Sequence, residues 1–209
     1  MVSYEVKTPG YTMTEKSYLR WWNRFRGTGF DDERTTYFNA DKYVAEGVHS
    51  KYFMAADDAF TSAYYSCPIH RYIPAVYKGT AEAMYAYVFE QADPNEEDDM
   101  LVYHGCESDY LFRPNDTGDL PLATQMLKWW TNFAARHNPN NEGEDAWPAV
   151  TVDTPQVMHI VKDTWAAQPW QDTEKCEFWE QADYGQFMST CNSVYWKDLN
   201  ETVSLPLLH

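Results

Sequence analysis

A chain of 209 residues with 44% hydrophobic and 17% aromatic content has the length of one large domain. It also has the apolar material for a packed core, which excludes a disordered protein. A formal net charge of −16 disfavours binding to nucleic-acid phosphates, and no apolar run is long enough to cross a bilayer. The acidic balance would draw cationic ligands toward a cleft, although solubility alone accounts for it.

The opening "MVSYEVKTPGYTMTEK" lacks the charged start and apolar middle of a signal peptide. Residues 14–26, "TEKSYLRWWNRFR", predict an amphipathic helix with Thr14 as its cap and Leu19, Trp22 and Phe25 on one side. Gly27 and Gly29 end it, and "DDERTTYFNADKYVAEG" follows with weaker periodicity. Residues 52–66 and 67–78 read as mostly helical, with Pro68 and Pro74 breaking or opening segments. In "EAMYAYVFEQ", the nearly continuous run Met84, Tyr85, Tyr87, Val88 and Phe89 predicts a strand covered on both faces. The acidic residues 92–99 then read as a solvated loop, since their order does not match an EF-hand.

"MLVYHGCESDYLF", residues 100–112, places His104 after a strand-like run and beside the glycine of a turn. Residues 121–138 are the clearest helix, with Leu122, Met126, Trp129, Trp130 and Phe133 on one broad apolar face that reads as core. Pro121 suits its first turn, and Asn138-Pro139 ends it. A polar loop, short extended segments in "AWPAVTVDTPQVMHIVKD" and a helix over residues 173–181 complete the order. The tail from Tyr184 carries no clear pattern, and no repeat or domain boundary stands out. Helices, a buried strand, a histidine-bearing turn and a strong helix suit the later part of an α/β sheet protein.

Cys67, Cys106, Cys176 and Cys191 form no CxxC pair, which disfavours structural zinc. Four cysteines allow three complete pairings, and spacing alone does not choose among them. The sequons Asn115-Asp-Thr and Asn200-Glu-Thr, with widely spaced cysteines, favour a secreted, glycosylated chain in an oxidising compartment.

From about Lys51 to Gln181, and more loosely before that, the chain resembles the C-terminal portion of the cholinesterase and type-B carboxylesterase family of α/β-hydrolases. "YAYVFEQ" resembles the family's penultimate core strand, and "HGCESDYLF" the turn that carries the catalytic histidine. "LKWWTNFAARHNPN", "WPAVT" and "CEFWEQ" resemble the helix, Trp-Pro strand and terminal helix that follow. The resemblance implies the C-terminal part of one α/β-hydrolase domain across residues 1–209, core strands flanked by helices and incomplete without an N-terminal segment. Residues 182–209 are read as a C-terminal extension. It implies His104 as the general acid/base of a serine esterase, and a disulfide between Cys67 and Cys176. Cys106 either pairs with Cys191 or is a free thiol, and the family pattern does not choose between them.

Glu107 matches a family glutamate beside the histidine; a structural carboxylate satisfied by backbone or water is the favoured reading. The remaining histidines, His49, His70, His137, His159 and His209, are assigned surface or structural roles. No Gly-x-Ser-x-Gly elbow occurs, and Ser108 lacks flanking glycines. "KTPGYT", residues 7–12, resembles the segment just after the family acid, which places that acid before Met1. Glu5 lacks its Asp-Glu-Gly context. The expected partners are therefore an N-terminal part of the same hydrolase and a small ester substrate, with no cofactor, metal, nucleic acid or membrane span. Homo-oligomerisation stays open. The competing reading is a non-catalytic adhesion or structural module, which a replaced serine upstream would favour.

Overall fold

The computed structural model describes residues 12–79, 82–92, 101–143, 146–151, 155–162, 164–170 and 173–181. The sequon at Asn200, Cys191, Glu5, most of the acidic loop and the tail from residue 182 lie outside them. The described residues fall into two compact units. One runs from Pro68 to Thr173; the other comprises the residues up to Cys67 and those from Glu174 onward.

In the second of these units, α1 spans Glu15–Phe25. Thr14 and Ser17 cap it reciprocally: the Thr14 hydroxyl accepts from the Ser17 amide at 3.3 Å, and the Thr14 amide donates to Ser17 Oγ at 2.8 Å. Tyr18, Trp21, Trp22 and Phe25 are its buried face. After α2 (Asp31–Tyr37) comes a single 3₁₀ turn at Ala40–Lys42. Next, α3 (Lys51–Thr61) inserts Ala55, Ala56 and Ala59, whose small side chains leave room for the rings around them. Tyr18 donates its hydroxyl to the Phe38 carbonyl at 2.6 Å, so the buried phenol is satisfied.

The C-terminal helix α7 (Thr173–Gln181) completes this core with Phe178 and Trp179. Trp179 meets Phe25 edge-on at 5.9 Å and donates its indole N–H to Ser62 Oγ at 2.9 Å. Lys175 Nζ reaches Asp58 Oδ2 at 2.7 Å. Cys67 and Cys176 are joined by a disulfide across 109 residues of sequence. Closing so long a loop stabilises by about 4–5 kcal/mol in the chain-entropy account.

Helix α3 continues through a π turn at Ser62–Ser66 into α4 (Cys67–Tyr77). In the wider turn the Cys67 amide donates to the Ser62 carbonyl, one residue further back than in an α-helix. Pro68 follows directly on this π turn, whose wider spacing accommodates its missing N–H. Pro74 does not break the run as expected but lies inside α4. The bond it forfeits is the one to the His70 carbonyl, close to the end of a helix whose Ile69 and Tyr72 are exposed.

The unit from Pro68 to Thr173 holds a three-stranded sheet in the order β1-β2-β3, from β1 (Tyr87–Phe89), β2 (Gln156–Val161) and β3 (Thr164–Pro169). β1 pairs parallel to β2, with Tyr87 opposite Met158 and Phe89 opposite Ile160; β2 and β3 form an antiparallel hairpin. A parallel strand pair with flanking helices is the expected partial α/β-hydrolase fold. The strand predicted to be covered on both faces is corrected. It is three residues long, it pairs only with β2 among the described residues, and Tyr87 is 38% exposed. Tyr87 and Phe89 alternate onto the same face, of which only the Phe89 end is buried, while Val88 is half-buried on the other.

Beside the sheet lie α5 (Glu107–Phe112) and α6 (Leu120–Arg136). Asp119 caps α6 by accepting from the Leu122 amide at 3.2 Å, and Lys162 Nζ lies 3.9 Å from the other oxygen of this buried carboxylate. The helix ends at His137, in the left-handed region at φ 58°, one residue before the expected Asn138-Pro139. Asn140, buried in the following loop, donates to the Trp147 carbonyl at 2.8 Å and accepts from the Trp147 amide at 2.8 Å.

Two outcomes test this architecture. Replacing both Cys67 and Cys176 by serine is expected to lower stability by about 2–5 kcal/mol, seen as a lower urea midpoint; an unchanged midpoint would contradict the loop-closure account. Asn140→Ala strands both backbone groups of Trp147 and is expected to cost about 1–3 kcal/mol, measured by thermal unfolding.

Candidate active site

His104 sits in a turn closed by the Cys106 amide, which donates to the Tyr103 carbonyl at 3.2 Å. Gly105 holds φ 86°, the left-handed region that side chains with a Cβ avoid. A Cβ there would meet nothing within 4 Å, so conformation rather than crowding calls for glycine. The Ser108 amide donates to the Gly105 carbonyl at 3.0 Å, and α5 begins at once. The turn is therefore hydrogen-bonded on its C-terminal side.

The approach to the histidine differs from the expectation. Residues 101–103, the described residues that lead into the turn, are not a strand, and β1 ends at Phe89. The short helix α5 went unrecognised in the sequence, because six residues carry too little periodicity to register. What fixes it is one buried ring. Tyr110 is wholly buried and meets Phe89 edge-on at 5.1 Å, anchoring α5 to β1.

The imidazole of His104 is exposed, whereas the two residues after Gly105 turn inward. Cys106 is a buried free thiol. Burial pushes it up to about 11, with the Glu107 carboxylate adding to the shift, so it stays protonated at neutral pH and is not a nucleophile. Glu107 Oε1 accepts from the Tyr87 hydroxyl at 3.4 Å. Burial, then the neighbouring Glu107 charge, pushes the Tyr87 phenol up to about 12, which keeps it a proton donor. Glu107 thus faces the strand, and its partner is a tyrosine hydroxyl where backbone or water was expected. Tyr87 is the partner the sequence did not reveal, since nothing in the order of residues pairs positions twenty apart.

The other predicted positions scatter. Asn115 is exposed in a turn, and the Thr117 hydroxyl of its sequon is held by donating to the Pro114 carbonyl at 3.1 Å. His49 is buried, with Nδ1 at 2.9 Å from the Glu46 carbonyl. His159 Nδ1 lies 2.8 Å from Glu90 Oε2 across the β1–β2 pair, and His70 packs against Trp170. Among the described residues no group of histidines, cysteines and carboxylates could hold a metal ion, and no helix is long and apolar enough to cross a membrane.

The sequence that builds this turn and the elements around it has known relatives. Acetylcholinesterase of Bungarus fasciatus is 29% identical over 136 residues, covering 60% of this chain and 22% of that enzyme. The chain therefore spans about a fifth of the length of the curated relative it matches. The model of the carboxylesterase family matches residues 11–179, which takes in both units and the whole histidine turn. The chain belongs to the carboxylesterase family.

Proposed function

We propose that this chain supplies the histidine end of a serine active site in a carboxylic-ester hydrolase. The observation that carries the reading is the His104-Gly105 turn, set between β1 and α6 in a chain of the carboxylesterase family. His104 would accept the proton of a serine hydroxyl as that oxygen attacks the ester carbonyl, then return it to the departing alcohol. A carboxylate on the other ring nitrogen would fix the tautomer, and backbone N–H groups would hold the oxyanion.

The 209 residues contain no Gly-x-Ser-x-Gly elbow. The serine, the acid and the oxyanion donors are therefore assigned to an N-terminal part of the same hydrolase. Glu107 takes no proton in this scheme. Held by Tyr87, it steadies the turn that presents the imidazole. The Cys67–Cys176 disulfide supports an oxidising, extracellular setting, and exposed Asn115 is the proposed glycan acceptor there.

The full polypeptide carrying this chain tests the reading. His104→Ala is expected to cut ester turnover by several orders of magnitude while circular dichroism stays unchanged. Near-normal turnover would refute the assignment, and a full polypeptide lacking the nucleophilic serine would favour a non-catalytic adhesion or structural module. Gly105→Ala forces a left-handed alanine at a cost of about 1–2 kcal/mol. It is expected to lower kcat with little change in thermal midpoint beyond that cost; an unaltered kcat would mean the turn geometry is irrelevant to turnover.

A further inference from the structure

Cysteine spacing alone leaves three complete pairings open, yet the fold joins Cys67 to Cys176. Two polar rungs connect the helices that carry these residues. Asp58 lies in α3 and Ser62 opens the π turn that continues it; Lys175 and Trp179 lie in α7. Each pair has the i, i+4 spacing that puts two side chains on one helix face. Lys175 Nζ lies 2.7 Å from Asp58 Oδ2, and the Tyr43 hydroxyl donates to the same oxygen. One turn further along, the Trp179 indole N–H donates to Ser62 Oγ at 2.9 Å.

Both rungs are directional. Ser62 is buried, and its hydroxyl hydrogen goes to the Asp58 and Ala59 carbonyls, 2.7 and 3.1 Å away, which leaves a lone pair for the indole. Trp179 is wholly buried, so an indole out of register would lose its acceptor inside an aromatic core. The Lys175 and Asp58 side chains are 22% and 25% exposed, which shelters their charges from solvent screening more than at an open surface. Sliding α7 by one residue would move it about 1.5 Å and turn it roughly 100°, breaking both rungs together. Two buried thiols, by contrast, impose no register before they bond, because a free cysteine packs as a small hydrophobe.

We propose that these rungs drive the cysteine pairing: they dock α7 on α3 in one register, and that register brings Cys176 against Cys67. The oxidant is a low-molecular-weight disulfide such as oxidised glutathione. The two cysteine thiols give up two protons and two electrons as the S–S bond forms, and the oxidant is reduced to two thiols by exchange through a mixed disulfide. Docking and bonding are linked, so the factor by which the rungs favour the docked register reappears in the equilibrium constant of the bond. The pairing involves neither His104 nor a serine, and it stands or falls separately from the esterase reading.

The full polypeptide carrying this chain, equilibrated with reduced and oxidised glutathione and trapped by alkylation, gives the Cys67–Cys176 equilibrium constant from peptide masses. Lys175→Met keeps the length of the side chain without its charge, and Trp179→Phe keeps an aromatic ring without the N–H. Each is expected to lower the constant several-fold, and the two together at least tenfold, with circular dichroism unchanged. Tyr18→Phe serves as the comparator, since it removes the hydrogen bond to the Phe38 carbonyl in the same core and touches neither rung. It is expected to leave the constant within twofold. An unchanged constant in the double variant would overturn the proposal, and so would an equal loss in Tyr18→Phe, which would trace the effect to general stability.

Discussion

Trp147 is held at both of its backbone groups by one buried side chain, that of Asn140, and much of the sheet-bearing unit is organised from that point. Its indole N–H donates to the Ala86 carbonyl at 3.2 Å, just before β1. Its ring touches Trp129 and Trp130 of α6 and Tyr85 and Tyr87 of the β1 segment. Two hydrogen bonds thus fix a ring that joins helix, strand and loop. Tyr87 carries the connection on to Glu107, and Tyr110 carries α5 to Phe89. The turn bearing His104 is consequently tied to β1 from two sides.

The other unit solves a different problem. Its helices come from opposite ends of the chain, so they begin far apart in sequence and must be held together after folding. An aromatic core of Tyr18, Trp22, Phe25, Phe38 and Trp179 supplies the burial. The disulfide removes the entropy of the long loop between the two segments. The π turn before Cys67 also contributes, because Ser62 within it accepts the Trp179 indole N–H. A wider turn there does more than absorb Pro68: its first residue receives the returning helix.

How legible these features were in the sequence follows the range of the forces involved. Thr14, the aromatic stripe of α1 and the face of α6 act within a few residues, so cap and periodicity marked both helices to within a residue or two. The α7 helix, residues 173–181, was read with its bounds intact. Strands fared worse because their partners are remote. "TWAAQP" has no alternation and is almost wholly exposed, and it is a strand only because Gln156–Val161 pairs with it. The same holds for β1, whose apolar run suggested burial on both faces when only Phe89 is buried. Asn140 gave no signal, since a polar residue in a polar loop looks solvated until its partner is known.

His104 is the instructive case. Nothing local distinguishes it from His49, which is more buried, or His159, which has a carboxylate at 2.8 Å. An isolated imidazole is most often structural, and by burial and pairing either of those two would be the stronger candidate. What singles out His104 is the glycine after it at φ 86°, which bends the backbone so that the histidine faces outward while Cys106 and Glu107 turn in. The Cys106 thiol, kept protonated by burial, cannot compete for the chemistry, and Glu107 is engaged with a phenol that keeps its proton to about pH 12. The turn therefore places the histidine at the surface while its two neighbours are held inward, the thiol by burial and the carboxylate by the Tyr87 hydroxyl.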